Sequence, residues 1–225
     1  MVTAHLTIGG LKMHFSPAQL KVYFIAGSQN TNHDVDELIS IVEQACQNGI
    51  TMFQYREKDS STLSFEDKVA VAQKLKAITS QYNVPFIIDD DIELMRAVDA
   101  DGIHVGQDDT KIEQVISTCS DKIIGLSTHD PNEVLAANQI DGLDYIGIGP
   151  IFATNSKAHV KEAIGIDSLV NLYGLANHPA VAIGGIHLNN VKEVLATDVD
   201  GISVISAITK TNDFAKTIST LKGEL

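Results

Sequence analysis

Basic residues are scarce in this chain. It carries 16 Lys and Arg against 29 Asp and Glu in 225 residues, a formal net charge of −13 at neutral pH. That balance argues against nucleic acid and anionic membrane as partners, since both draw Lys and Arg to their phosphates. It leaves room for a small anionic substrate, because a few cations gathered at one site suffice. Long apolar runs are missing as well, and none reaches the ~20 residues of a membrane-spanning helix. The opening stretch MVTAHLTIGGLKMHF lacks the basic start and apolar core of a secretory signal. Cysteine is rare: Cys46 and Cys119 stand apart, without metal or redox spacing, and read as small core fillers. A reducing cytoplasm is therefore the expected compartment. No nucleophilic cysteine, Schiff-base lysine on an apolar strand or His–carboxylate–Ser set is evident, so leaving-group activation is expected rather than covalent catalysis.

What the sequence does contain is one repeated unit. Lys21–Ala26 is rich in β-branched and aromatic residues and reads as a first strand. From about Asp34 to Asn48, Val35, Leu38, Ile39, Ile41, Val42, Ala45 and Cys46 fall at helical spacing, and Gly49 supplies the stop. The pattern recurs. Strands are expected at Ile50–Tyr55, Pro85–Ile88, Ile103–Val105, Lys122–Leu126, Asp144–Ile148, Ala180–Ile183 and Gly201–Ile205. Helices are expected from Ser64 to Tyr82, from Ile92, from Thr110, after Asp130 with Glu133 as its capping partner, over Asp167–Ala176, from Leu188, and after Asn212 or Asp213. Alternating strand and helix imply parallel strands with right-handed crossovers. Eight such units in one chain imply an α/β (β/α)₈ TIM barrel as a single domain over residues 1–225. An open doubly wound sheet is the second choice, but the first loop, GSQNTNHD, lacks the G-x-G-x-x-G spacing of a nucleotide site. Residues 1–20 read as an N-terminal extension in which Ser16-Pro17 could open a short helix over a barrel end. A homo-oligomer is compatible with the fold, but no seam is legible.

In such a barrel the chemistry collects at the carboxyl ends of the strands. Two apolar strands end in acid, one at Asp89, Asp90 and Asp91, the other at Gly106-Gln107-Asp108-Asp109. Carboxylates meeting on one rim suit Mg²⁺, which takes oxygen ligands and commonly bridges one or two carboxylates to substrate phosphates. Helix capping by Asp91 and Asp109 is the competing reading. At the second strand, Gln54, Arg56 and Lys58 share one face and point into the mouth, while Phe53 and Tyr55 pack outward. Arg56 and Lys58 suit a diphosphate or an internal salt bridge to the acidic cluster, and both can hold at once. Ser127 fits a phosphate contact or a helix cap. His129 reads as structural more readily than as a base. The long loop Gly147–Lys157 offers two hydroxyls and a lysine, Thr154, Ser156 and Lys157, as an anion site. Gly184-Gly185 and Ile205-Ser206 fit a backbone cradle for a substrate phosphate. The layout suits two phosphorylated small molecules.

These stretches resemble a known family. QYREK at 54–58, FIIDDDIEL at 86–94, DGIHVGQDD at 101–109, GLS at 125–127, DYIGIGPIFATNSK at 144–157, AIGGI at 182–186 and DGISVISAI at 200–208 are similar, in order and spacing, to thiamine phosphate synthases. The resemblance implies a Mg²⁺-dependent transferase on a TIM barrel. It would join 4-amino-2-methyl-5-hydroxymethylpyrimidine diphosphate to 4-methyl-5-(2-phosphoethyl)thiazole and release pyrophosphate. It implies that Gln54, Tyr55, Arg56, Glu57 and Lys58 line the pyrimidine diphosphate site together with Asp89, Ser127 and Lys157. Arg56, Lys58 and Lys157 would act on the leaving group, and Asp90 and Asp109 would bind Mg²⁺. Thr154, Asn155, Ser156 and Gly185, with Ile205 and Ser206, would hold the thiazole phosphate. Three positions depart from the family pattern: Asp89 stands where Asn is usual, Ala153 for proline and Ser156 for threonine. A carboxylate at 89 should repel a diphosphate unless it is protonated or shared with the metal. The competing readings are a thiazole tautomerase-like isomerase, a sugar-phosphate epimerase and a non-catalytic thiamine phosphate binder. Retention of Arg56, Lys58, Asp90, Asp109 and Lys157 speaks against the first.

Overall fold

Eight parallel strands close into a barrel in the computed structural model, which describes residues 15–58, 61–154 and 161–225. The strands are β1 (Val22–Ala26), β2 (Met52–Tyr55), β3 (Phe86–Asp89), β4 (Gly102–Val105), β5 (Ile123–Thr128), β6 (Tyr145–Ile148), β7 (Ala180–Ile183) and β8 (Gly201–Val204), paired in sequence order with β8 returning to β1. Between them run α1 (Val35–Gln47), α2 (Phe65–Gln81), α3 (Ile92–Ala97), α4 (Ile112–Thr118), α5 (Pro131–Ala137), α6 (Gly165–Leu175) and α7 (Val191–Leu195). A short α8 (Ser206–Thr209) and α9 (Phe214–Lys222) follow β8. The expected barrel is thus the observed one. No helix among the described residues is long and apolar enough to cross a membrane.

The strands are buried on both faces, so two cores form. Outward-facing Phe24, Phe53, Tyr55, Phe86, Ile103, Ile146 and Ile202 pack against the helices in one large cluster. Inward-facing Tyr23, Ile25, Met52, Ile87, Ile123, Tyr145 and Val181 fill the barrel, with Leu20 and Phe15 at its amino-terminal end. Phe15 stacks on Tyr145 with ring centroids 5.7 Å apart. The Pro17–Leu20 stretch is a 3-10 helix, so the short cap anticipated after Ser16 is present.

Helix starts follow their capping residues. Asp34, Ser64, Asp91, Asp130 and Asp213 each accept a backbone N–H of the first turn, a contact worth about 1 kcal/mol. Glu133 Oε2 returns the favour to His129 N at 2.7 Å, the expected capping pair. Several boundaries differ from expectation. β5 runs on to Thr128 because Ser127 and Thr128 pair with Gly147 and Ile148. β8 stops at Val204, since Ile205 is already the N-cap of α8. α7 begins at Val191 rather than near Leu188, and α6 at Gly165 rather than Asp167.

Candidate active site

The acidic tips of β3 and β4 meet over the barrel mouth, as the strand pattern led us to expect. Lys58, just past β2, is what they meet around. Its Nζ lies 3.1 Å from Asp90 Oδ2, 3.1 Å from Asp109 Oδ1 and 3.5 Å from Asp89 Oδ2. Arg56 Nε stands 3.4 Å from the same Asp89 oxygen. Burial alone would lower the Lys58 pKa, but Asp89, Asp109 and Asp90 outweigh it and the net shift is upward. The internal salt bridge weighed for Arg56 and Lys58 is therefore formed. Asp90 reaches this position with φ at 63°, a left-handed backbone that Asp tolerates better than most residues. Asp109 does not cap α4, whose N-cap is Lys111; its Oδ2 accepts from Gly106 N at 2.8 Å and fixes the loop instead. Asp91 does cap α3, through Leu94 N.

This donor set fits Mg²⁺. Asp90 and Asp109 already share one cation, the lysine ammonium, and a divalent ion in its place would keep two oxygen ligands and find the rest on phosphate and water. Among the described residues no group of three or more His, Cys, Asp or Glu converges as a self-sufficient metal site.

Beside the charged cluster, the loops after β4 to β8, beginning with Gly106–Asp108, enclose a cavity of about 190 Å³. It is lined by Ser127, His129, Gly149, Pro150, Thr154, Gly184, Gly185, Ser203, Ile205 and Ser206, with Lys161 at its edge. Lys161 Nζ is held by Glu133 Oε1 at 2.8 Å. His129 Nδ1 lies 3.1 Å from Gly149 O, a structural contact. Gly184 and Gly185 have φ of 100° and 65°, and a Cβ on Gly185 would sit 2.7 Å from Ala153 O. These glycines are thus required where the β6 and β7 loops touch, whatever they do for a ligand. Asn155, Ser156 and Lys157 lie outside the described residues.

Two residues expected at the ligand do not bring their side chains to the mouth. Tyr55 is 1% exposed and packs in the helix-side cluster, where strand alternation sends it. Its hydroxyl faces Glu57, and burial with that charge raises its pKa. Glu57 turns to the β1 loop and accepts from Ser28 N at 2.9 Å and from Ser28 Oγ. Gln29 Nε2 adds a bond to Arg56 O at 2.7 Å. Together they clasp the β1 loop to the Arg56–Lys58 tip.

The structure also brings in Tyr23, His104 and Ser203, which sequence reasoning passed over. Gln54 does face inward, but its Nε2 meets Tyr23 Oη at 2.7 Å. His104 lies beneath the mouth with Nε2 2.9 Å from Ser127 Oγ. Ser203, 2% exposed on β8, lines the cavity with a hydroxyl that has no partner among the described residues. Strand alternation was the available signal for each, but Tyr and Ser at inward positions read equally well as filler.

Known proteins resemble this chain in sequence and in fold. A sequence model of the family described as thiamine monophosphate synthase matches residues 22–208, from β1 to α8. The thiamine-phosphate synthase of Limosilactobacillus fermentum is 45% identical over 207 residues, covering 92% of this chain and 97% of that protein. That of Oceanobacillus iheyensis is 45% identical over 212 residues, covering 93% and 100%. The solved thiamine phosphate pyrophosphorylase of Pyrococcus furiosus superposes with a TM-score of 0.79 at 33% identity, covering 92% of this chain and 96% of that one. Matched through all eight strands, with its charged residues converging on the carboxyl rim, the chain belongs to the thiamine monophosphate synthase family.

Proposed function

We propose that the two halves of the mouth divide the two substrates of the thiamine phosphate synthase reaction. The pyrimidine diphosphate lies over β2–β4 and reaches Ser127 at the end of β5, and the thiazole phosphate lies in the part of the cleft over β6–β8. The observation that carries this is Lys58 held between Asp90 and Asp109, with Arg56 alongside, facing a cleft built mainly of backbone and hydroxyls. A diphosphate entering the charged half draws Lys58 and Arg56 from carboxylate to phosphate oxygens, Arg as a fork and Lys as a point charge. Asp90 and Asp109 would hold Mg²⁺, which when bound neutralises charge on the diphosphate.

The chemistry is dissociation and capture. The bond from the pyrimidine methylene to the diphosphate oxygen breaks, its electron pair leaves with pyrophosphate, and the aminopyrimidine spreads the positive charge. The thiazole nitrogen lone pair then forms the new C–N bond. Arg56, Lys58 and Lys157 favour the first step by stabilising the leaving group more as its charge grows. Thr154, Gly185 and Ser206, with Asn155 and Ser156, hold the thiazole phosphate so that its nitrogen faces the methylene. Asp89 acts before this step by keeping Arg56 and Lys58 paired until the diphosphate arrives.

The test is thiamine phosphate formation from the two substrates with Mg²⁺, followed by oxidation to a fluorescent thiochrome. A fluorescent product that requires both substrates supports the proposal. Its absence, with the protein folded, turns the reading to a tautomerase-like isomerase or a non-catalytic binder.

A further inference from the structure

A row of polar side chains crosses the barrel interior under the mouth. Gln54 Nε2 donates to Tyr23 Oη at 2.7 Å, and Tyr23 Oη lies 2.9 Å from Tyr145 Oη. Tyr145 Oη is 3.1 Å from His104 Nδ1, and His104 Nε2 is 2.9 Å from Ser127 Oγ. Tyr23 and Tyr145 are 1% and 0% exposed, so their links are made without bulk water, while the His104–Ser127 link is part-buried at the cavity edge. Gly125 makes room for them: a Cβ there would fall 2.2 Å from the Tyr145 ring and 2.4 Å from His104 Nδ1.

Counting protons gives the row a direction. The amide nitrogen of Gln54 only donates, so Tyr23 oxygen accepts and its single proton turns to Tyr145. Tyr145 oxygen accepts that proton and passes its own to His104 Nδ1. The imidazole then carries its hydrogen on Nε2 and donates to Ser127 Oγ. Ser127's own proton is left over at the end of the row that borders the cavity. Reversing one link alone would set two hydrogens against each other and leave a buried hydroxyl proton unused. Burial raises the pKa of both tyrosines, which keeps both protons in the row. Reversing the whole row requires Gln54 to present its carbonyl oxygen to Tyr23, and it spends Ser127's proton on His104.

We propose that Tyr23, Tyr145 and His104 are positioning residues that hold Ser127 as a fixed hydrogen-bond donor toward an anionic oxygen of the substrate diphosphate. This rests on the diphosphate lying beside Ser127, as read above. A serine whose proton is free to point at the substrate suits a phosphate oxygen, which only accepts; a serine whose proton is spent on His104 would offer only lone pairs and repel it.

The direct test is the ¹⁵N spectrum of histidine-labelled protein at neutral pH, with the His104 signals assigned by their loss in His104→Gln. The expected result is a neutral ring protonated on Nε2, alone and with inorganic pyrophosphate and Mg²⁺. A ring protonated on Nδ1, or on both nitrogens, overturns the proposal. Turnover gives the second reading. Tyr145→Phe keeps the ring stacked on Phe15 and removes one hydroxyl, and it should lower kcat/KM about tenfold or more. In a Ser127→Ala background the same change should cost little, because its effect passes through Ser127. Equal losses in both backgrounds overturn the proposal. Should Tyr145→Phe fail to fold, the wild-type spectrum still decides. An Nε2-protonated ring in a protein that makes no thiamine phosphate would count against the assigned reaction and not against the row.

Discussion

Replacing Lys58 with methionine keeps the unbranched stem, one atom shorter, and removes the charge that three carboxylates share. At 3.1 to 3.5 Å each pair is worth about 5 kcal/mol of gross attraction at an effective dielectric of 20. Most of this is offset by dehydration, and the Lys58 side chain is 29% exposed. A net loss of about 2 kcal/mol lies between an exposed pair at ~1 and a broken buried one at ~3–5. For a chain of this size that is a fall in Tm of roughly 4–8 °C in EDTA. The pKa of Lys58 is raised above its ordinary 10.5, so its contribution is whole below 10.5 and fades as pH rises through the folded value; a neutral buffer measures all of it. Adding Mg²⁺ at 100 times its Kd returns about 2.7 kcal/mol if the ion occupies the lysine's place. Wild type should gain less, because Lys58 must first give way. The assay is thermal unfolding of both proteins in EDTA and in Mg²⁺. An equal Mg²⁺ gain in both, or one that survives adding Asp109→Asn to Lys58→Met, would refute the shared site.

Other outcomes follow from the same contacts. Asp89→Asn should lower Tm by a few degrees yet leave KM for the pyrimidine diphosphate unchanged or lower, since it relieves repulsion while loosening Arg56 and Lys58; a large loss of turnover at saturating Mg²⁺ would mark Asp89 as a ligand. Ser203→Ala should not reduce stability, because the hydroxyl has no partner among the described residues, but should raise KM for one substrate severalfold; unchanged kinetics would remove Ser203 from the site. Glu57→Gln should weaken the Ser28 clasp and lower kcat more than it lowers Tm, as read from kinetics beside thermal unfolding. Burial, with the Glu43 charge, pushes the Cys46 thiol up to about 12, and burial raises Cys119, so neither should react with a thiol reagent at pH 8 until the protein is denatured.

The barrel was legible because every unit opens with an apolar run, and at Asp34, Ser64, Asp91, Asp130 and Asp213 a capping residue also marks the helix that follows. Asp90 and Asp109 could be placed on one rim because parallel neighbours end together. Boundaries failed where tertiary pairing decides them: Ser127 belongs to β5 only because Gly147 offers it a partner. The fate of Glu57 was hidden for a similar reason. At the end of β2 it reads as one more charge at the mouth, and only the position of Ser28 on the neighbouring loop shows that it is occupied. The interior row was least visible. Tyr23 in KVYFIA looks like an ordinary strand former, and nothing local to it shows that Gln54, Tyr145 and His104 come from three other strands to meet it.

The central claim is that an acidic molecule keeps a cationic pocket which two aspartates and a divalent ion complete. Calorimetric titration with inorganic pyrophosphate tests it most directly. The account predicts one site per chain that binds in Mg²⁺, weakens at least tenfold in EDTA, and is lost in Asp90→Asn and Asp109→Asn. Pyrophosphate binding of equal strength with and without Mg²⁺, or untouched by both aspartate changes, would contradict it.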